Sequence, residues 1–321
     1  MVIPQVTILM PNYNYGCFLR QAIESVLSQS FPDFEFLIID DASSDNSPEI
    51  IREYMDQDRR IKGIFHKENV GVIASYNEGT ALAQGKYIHF MAADDYRYPG
   101  FLQKCMDTLL ERPELGMCFS QYDLGDGEKR QLEKCGYESD GSTLYFSPVD
   151  MADAFLNHNL KIFAVAAIMK TSLVAQHGYF DPKLYYYSDW YLLNEIAFFH
   201  PSAFILEPLS YFRIHETNFS NVYRRRKETK RAALRHMLVK LNAPQNRHYK
   251  EQVRKSALLT FIFQEHFWKM LFNPKYISFW PYINQKFPVK ERLKRSIKKK
   301  LGIIPSIINK VPFRQGQSPG D

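Results

Sequence analysis

The chain has only four cysteines in 321 residues (Cys17, Cys105, Cys118 and Cys135), and none is in CxxC spacing. That argues against a zinc site or a thioredoxin-like redox motif. No uninterrupted apolar run approaches the ~18–20 residues needed to span a bilayer. Nothing at the amino terminus resembles a signal peptide, since Met1-Val2-Ile3-Pro4-Gln5 is expected to lead straight into a strand. The expected setting is therefore a reducing cytoplasm. Acidic residues are scarce at one end: residues 221–321 carry 5 Asp+Glu against 24 Lys+Arg, a balance of +19. Residues 1–220 carry 30 against 17, a balance of −13, which leaves the whole chain at +6. An acidic body with a basic tail suits an anionic partner. The hydrophobic fraction of 45% is ordinary and the aromatic fraction of 15% is high, so a sizeable core is available.

The first half alternates strand and helix patterns. Val6 to Met10 reads as a short apolar strand, and Phe18, Leu19, Ala22, Ile23, Val26 and Leu27 recur at helical spacing. Phe34 to Ile39 is a second strand, and Ser47-Pro48 suits the start of a helix to about Met55. Ile61 to Phe65 is a third strand, followed by a helix over Ile73 to Gln84 closed by Gly85. Gly100 to Arg112 reads as a helix and Leu115 to Tyr122 as a strand. This rhythm implies an α/β fold with a mostly parallel sheet. Further on, the polar stretch Asp123 to Gly141 reads as a hairpin or loop, Ala164 to Lys170 as a buried strand, and Thr171 to His177 as a short helix. Asp189 to Phe199 is helical, and Ser202 to Leu206 and Leu209 to Ile214 have the look of edge strands.

Two carboxylate pairs lie just past the ends of apolar strands. Asp40-Asp41 follows Phe34 to Ile39, and Asp94-Asp95 follows Lys86 to Met91 after two alanines. Ligands of open α/β sheets bind beyond the carboxyl ends of the strands. Adjacent like charges there are costly unless hydrogen bonds, a metal or a cationic group offsets them. One pair suits a nucleoside, the other a divalent metal with a diphosphate. The blander reading of Asp40-Asp41 is a helix-capping loop running to Ser47.

Val6 to Asn14, then Ser25 to Pro32, then Ile38 to Asp45 resemble glycosyltransferase family 2. Asn69-Val70-Gly71, Asn77, Gly85 to Ile88 and Asp94-Asp95 with Pro99 continue the series in the family's order. The resemblance runs from residue 1 to about 220. It implies a GT-A fold (a Rossmann-like sheet flanked by helices) and an inverting transfer from a nucleotide-diphospho-sugar, UDP-linked by expectation. By the same resemblance Pro11 and Tyr13 frame the base, Tyr13 stacks on it, Asp41 hydrogen-bonds it, and Asp40 sits behind it or near the ribose. Asn69, Gly71, Asn77 and Asp94 complete the donor-nucleotide residues. Asp95 is the implied ligand of Mn2+ or Mg2+. Alanine at position 92, where the family often has an acid, leaves fewer carboxylates there. Gly178-Tyr179-Phe180-Asp181 and Ser188-Asp189-Trp190 resemble the family's glycine loop and acid pair, with Ser188 in place of the usual glutamate. Asp189 is then the catalytic base, or else only a helix cap. His215, in Tyr211-Phe212-Arg213-Ile214-His215, is an expected metal ligand or a plain surface or core histidine. Arg224 and Arg225 could close over the phosphates, or belong to a solvated helix start or a lipid-facing patch.

The carboxyl-terminal third is helix-forming, basic and aromatic. Phe261, Phe263, Phe267, Trp268, Phe272, Tyr276, Phe279 and Trp280 precede the run Lys290, Arg292, Lys294, Arg295, Lys298, Lys299 and Lys300. Basic amphipathic helices with aromatic anchors suit an anionic membrane surface; the plainer reading is packing on the catalytic domain with a solvated basic run. The expected domains are 1–220 catalytic, 221–313 helical and membrane-associating, and 314–321 a disordered tail. The expected partners are the donor and a glycan or lipid-linked glycan acceptor, with no nucleic acid. The expected site is the inner face of the cell membrane. Two other functions fit less of the sequence. A sugar-1-phosphate nucleotidyltransferase would need a glycine-rich basic loop where Pro11-Asn12-Tyr13-Asn14 stands. An inactive relative acting as a nucleotide- or membrane-binding scaffold is suggested by Ala92 and Ser188.

Overall fold

The computed structural model describes residues 3–259, apart from 128, 134, 217, 219–226 and 257. Arg224, Arg225 and the aromatic and basic runs beyond residue 260 lie outside the described residues. Three largely apolar segments form β1 (Val6–Asn12), β2 (Phe34–Asp40) and β4 (Tyr87–Phe90), and every residue in them is buried. β1 pairs in parallel with β2 on one side and β4 on the other, and β2 pairs in parallel with β3 (Ile61–Phe65). Burial on both faces explains why these strands read as continuous apolar runs rather than alternating ones. The register sets Asn12 against Asp40, and Met91 donates its N–H to the Leu9 carbonyl. Both carboxylate pairs therefore leave the sheet along the same edge.

The connecting helices are α1 (Gly16–Leu27), α2 (Ser47–Gln57), α3 (Val72–Leu82) and α4 (Phe101–Glu111). Leu19, Ile23 and Val26 of α1, Ile50 and Ile51 of α2 and Phe101, Cys105 and Leu109 of α4 bury with Val6, Ile8, Phe36 and Ile38 in one core cluster. Ser47 and Pro48 open α2, with Asn46 rather than Ser47 at the cap. Gly85 is not a helix cap: α3 ends at Leu82 with Ala83 capping. Its lack of a side chain serves close approach instead, since a Cβ there would lie 2.4 Å from the Thr7 backbone nitrogen.

Among the described residues ten strands form one sheet in the order β3-β2-β1-β4-β9-β6-β10-β5, with β7 on β6 and β8 on β10. The further strands are β5 (Tyr96–Arg97), β6 (Met117–Gly125), β7 (Arg130–Leu132), β8 (Thr143–Phe146), β9 (Ala167–Lys170) and β10 (Ser202–Arg213). The parallel expectation holds from β3 to β4 and between β6 and β10; β9 inserts antiparallel to both β4 and β6 and makes the sheet mixed. Residues 164–166, expected to begin that strand, form a 3-10 turn. The stretch after Asp123 is a hairpin, β7 returning on β6. The two expected edge strands are one strand, β10, with register shifts between Ile205 and Pro208 and again before Ser210. It is not an edge. β6 flanks it on one side, and β8 and β5 lie along the other.

Four more helices are α5 (Pro148–Asn157), α6 (Thr171–Gln176), α7 (Ser188–Phe199) and α8 (Lys227–Asn242), followed by α9 (Arg247–Lys255). Residues 1–256 form one compact unit, which extends the body past the expected boundary at 220. The reason is apolar: Ala233, Leu234, Met237, Leu238 and Leu241 of α8 and Tyr249 and Val253 of α9 are buried. No helix among the described residues is long and apolar enough to cross a membrane.

Candidate active site

The end of β2 is held by hydrogen bonds rather than by helix capping. Asp40 accepts from Asn12 Nδ2 at 2.8 Å and from the Ser43 N–H at 3.0 Å, which ties the ends of β1 and β2 together. Asp41 Oδ1 accepts from the Val70 N–H at 2.9 Å and lies 2.8 Å from His66 Nδ1; Oδ2 accepts from the Gly71 N–H at 2.8 Å. Both carboxylates are only 2% exposed. Gly71, with φ +90°, turns the chain into α3 and makes that donation possible. Pro11 is buried inside β1, whereas Tyr13 is 47% exposed beside it and open to stacking. Asn69 is exposed on the loop before Val70.

The second pair sits between β4 and β5. Asp95 Oδ1 accepts from the Arg213 N–H at 2.9 Å. Asp94 Oδ2 accepts from Asn218 Nδ2 at 2.7 Å and lies 2.8 Å from His215 Nε2. The Arg213 guanidinium donates to the Asp94 carbonyl at 2.8 Å. β5 pairs antiparallel with the end of β10, and that pairing carries Arg213 and His215 back over residues 118–121 positions earlier. Burial, and then the charge of Asp94, push the Asp95 carboxyl well above the usual range. Beneath the pair, Arg97 is 3% exposed and donates to His89 Nε2 at 2.7 Å, while His89 Nδ1 faces the Ala167 carbonyl at 2.8 Å. That arrangement makes His89 the neutral Nδ1–H tautomer, and burial with the Arg97 charge pushes its pKa far below the ordinary value.

Among the described residues no three His, Cys, Asp or Glu side chains already converge as a metal cage. The donor set still fits a hard divalent cation. Two adjacent buried carboxylates, one disfavoured in its charged form, are what such an ion relieves, and Mg2+ characteristically binds through one or two carboxylates plus phosphate oxygens and water. Asp95 and Asp94 would hold it, with His215 at the rim.

Asp189 lies in the first turn of α7, crowded by protein yet still reached by solvent, and accepts from the Trp190 N–H at 2.7 Å. Burial raises its pKa to about 6, with backbone N–H donors holding it back. Just before it the backbone is strained at Tyr185 (φ 51°, ψ −129°). Tyr76 on α3 links the two regions. Its hydroxyl donates to the Met91 carbonyl at 3.1 Å and its ring stacks on Phe180 at 5.2 Å. Burial raises its pKa, and the charges of Asp189, Asp95 and Asp94 raise it further.

Residues 7–165 match the family model of Glycosyl transferase family 2. The chain belongs to that family. An uncharacterized glycosyltransferase of Haemophilus influenzae is 39% identical over 133 residues, 41% of this chain and 53% of that one. Putative glycosyltransferase EpsH of Bacillus subtilis is 27% identical over 70% of this chain and 65% of its own. The putative teichuronic acid biosynthesis glycosyltransferase TuaG of the same organism is 32% identical over 41% of this chain and 52% of its own. The chain thus matches about half to two thirds of the length of these curated relatives. Two solved structures share its GT-A fold. S. aureus TarS in complex with UDP-GlcNAc superposes with a TM-score of 0.64 at 18% identity, over 92% of this chain and 85% of the other. The mannosyltransferase PcManGT from Pyrobaculum calidifontis, with GDP-Man and Mn2+, gives 0.54 at 15% identity over 94% and 89%.

Within this family 2 fold the expected residues divide into two groups. Asp40, Asp41, Tyr13 and Gly71 gather at the ends of β1 and β2, and Asp94, Asp95 and His215 gather after β4, with Asp189 opening α7. Asn77 lies against the glycine loop. Its amide donates to the Phe180 carbonyl and accepts the Phe180 N–H, both at 2.9 Å, so it holds the glycine loop. Asp181 is an anchor as well, 2.8 Å from His236 and 3.6 Å from Lys240 on α8. Sequence reasoning missed Tyr76, His66, Arg97 and Asn218. For Tyr76 the available signal was the single aromatic on its helix, directly before Asn77.

Proposed function

We propose that the chain transfers a sugar, with inversion, from a UDP-linked donor to an acceptor hydroxyl in polysaccharide or glycoconjugate synthesis. The observation that carries this reading is that the Asp94-Asp95 pair leaves the same sheet edge as Asp41, and that Tyr76, bonded to the Met91 carbonyl and stacked on Phe180, joins that edge to the loop leading to Asp189. With a pKa of about 6, Asp189 is about nine-tenths ionised at pH 7 and can accept a proton. The acceptor oxygen forms its bond to the anomeric carbon as the bond from that carbon to the diphosphate breaks. The hydroxyl proton goes to Asp189 and UDP leaves on the opposite face. Tyr76 stacks on Phe180, in the loop that leads to the base.

A bound Mn2+ or Mg2+ would neutralise charge on the diphosphate leaving group. This chain's own part is to present Asp95 and Asp94 to it and to fix their orientation through Arg213 and Asn218. At the base end, three of roughly four acceptor sites on Asp41 are taken by His66, Val70 and Gly71. The one left, on Oδ2, suits uracil's single ring N–H better than the paired donors of guanine. UDP-GlcNAc in TarS and GDP-Man in PcManGT belong to those proteins. The reading for this chain extends to a peripheral site at the inner membrane face, supported by the +19 balance of residues 221–321.

The test is a screen of nucleotide-diphospho-sugars for thermal stabilisation and donor hydrolysis, with and without Mn2+, in wild type and Asp95→Ala. Metal-dependent stabilisation by a UDP-sugar, lost in the variant, is the expected result. No stabilisation by any donor in folded protein would overturn the reading in favour of a scaffold.

A further inference from the structure

His66 is 12% exposed and stands at the end of β3 with both ring nitrogens on carboxylates. Nδ1 is 2.8 Å from Asp41 Oδ1, and Nε2 is 2.8 Å from Glu78 Oε2 on α3. Glu78 is solvent-exposed and Asp41 already accepts two backbone N–H donors, so both present acceptor oxygens. A ring that donates to two acceptors at once carries a proton on each nitrogen. His66 is thus a charged strut between the strand end that reads the base and the helix that carries Tyr76 and Asn77. Its own backbone N–H donates to the Asp40 carbonyl at 2.9 Å, which fixes the ring's origin on the same loop.

We propose that His66, as an imidazolium, is a positioning residue for donor recognition: it pins Asp41 Oδ1 so that Oδ2 remains the acceptor for the nucleobase, and nucleotide affinity depends on its protonation. This rests on the donor reading given above. Asp41 from the β2 end and Glu78 from α3 are the charged groups that face the ring. Burial alone would lower the His66 pKa; the bonds and charges of Asp41 and Glu78 outweigh it and hold it above the ordinary histidine value. As pH rises through that raised value, one ring nitrogen becomes a lone pair facing a carboxylate. Only one of the two bonds survives and the strut opens. UDP binding is therefore full below the transition and weakens above it.

Two measurements on the full chain test this. The first follows the His66 ring by heteronuclear NMR titration in wild type and Glu78→Gln, without nucleotide. The expected midpoint lies above the ordinary histidine value in wild type and lower in the variant. A His66 that is neutral at pH 7, or unmoved by Glu78→Gln, overturns the proposal. The second measures UDP affinity by calorimetry from pH 6 to 9 in wild type and His66→Gln, whose folding is checked by circular dichroism. Charge-assisted hydrogen bonds of this kind suggest a loss of about tenfold across that range in wild type, absent in the variant. Subtracting the variant removes the titrations of UDP itself. The same pH profile in both proteins overturns the positioning role while leaving the donor reading intact. No binding of UDP or GDP by folded wild type removes the donor reading, and the positioning role with it.

Discussion

Asp189→Asn is expected to exchange activity for stability. The carboxylate is the group placed to accept the acceptor proton, and general-base help is worth roughly 10²–10⁴ in rate. Asparagine keeps the shape and an oxygen to accept the Trp190 N–H, now made to Asp189 at 2.7 Å, so the α7 start survives. The carboxyl's pKa stands at about 6 in the folded protein against an ordinary 3.8, a consequence of burial. A raised acid destabilises the fold once it is ionised. The penalty is absent below the unfolded pKa, grows between the two values, and is complete above pH 6. About two units correspond to about 3 kcal/mol, and the solvent that still reaches the group reduces this to roughly 1–2 kcal/mol. The variant should therefore melt roughly 2–8 °C above wild type at pH 8 and show no such gain at pH 3.5. Transfer measured by product chromatography should fall at least a hundredfold at saturating donor, with UDP affinity unchanged. The wild-type rate should rise through about pH 6 and level off above it. Normal transfer by the variant would refute the base assignment; lost transfer without the pH-dependent gain in stability would refute the account of how burial tunes the group.

Two further substitutions probe the frame around the site. Asn77→Ala leaves the Phe180 N–H and carbonyl without their partner, and about 1–3 kcal/mol of stability should be lost in urea titrations, with kcat lowered because Asp189 follows that loop. Gly85→Ala places a methyl 2.4 Å from the Thr7 nitrogen, against backbone that cannot swing away; roughly 1–3 kcal/mol should be lost, with donor affinity unchanged in the folded fraction.

The strands that carry Asp40-Asp41 and Asp94-Asp95 were readable locally. A buried parallel strand is a continuous apolar run, and a carboxylate pair at its end stands out against it. The helix over Asp189 to Phe199 was readable from the apolar residues Tyr191 to Leu193 and Ile196 to Phe199 on either side of Asn194-Glu195. Two readings failed where the cause is not local. Ser202 to Arg213 looked like two edge strands because Glu207-Pro208 interrupts the pattern. In the fold, register shifts on either side of Pro208 absorb the interruption within one interior strand. Gly85 looked like a helix terminator, and its contact is instead with a strand almost eighty residues earlier.

By itself, then, the sequence determined the βα rhythm, the family, and which acids stand at strand ends. Periodicity, strand length and ordered motifs are properties of neighbouring residues. Tertiary structure alone decided what those acids touch. Asn77 meets Phe180 across 103 positions, His215 meets Asp94 across 121, and His66 bridges Asp41 and Glu78. Such partners are set by strand order and by β9 entering between β4 and β6, and no spacing along the chain encodes that order. The charge state of each group follows from the same packing: burial raises Asp189, and two carboxylates hold the proton on His66.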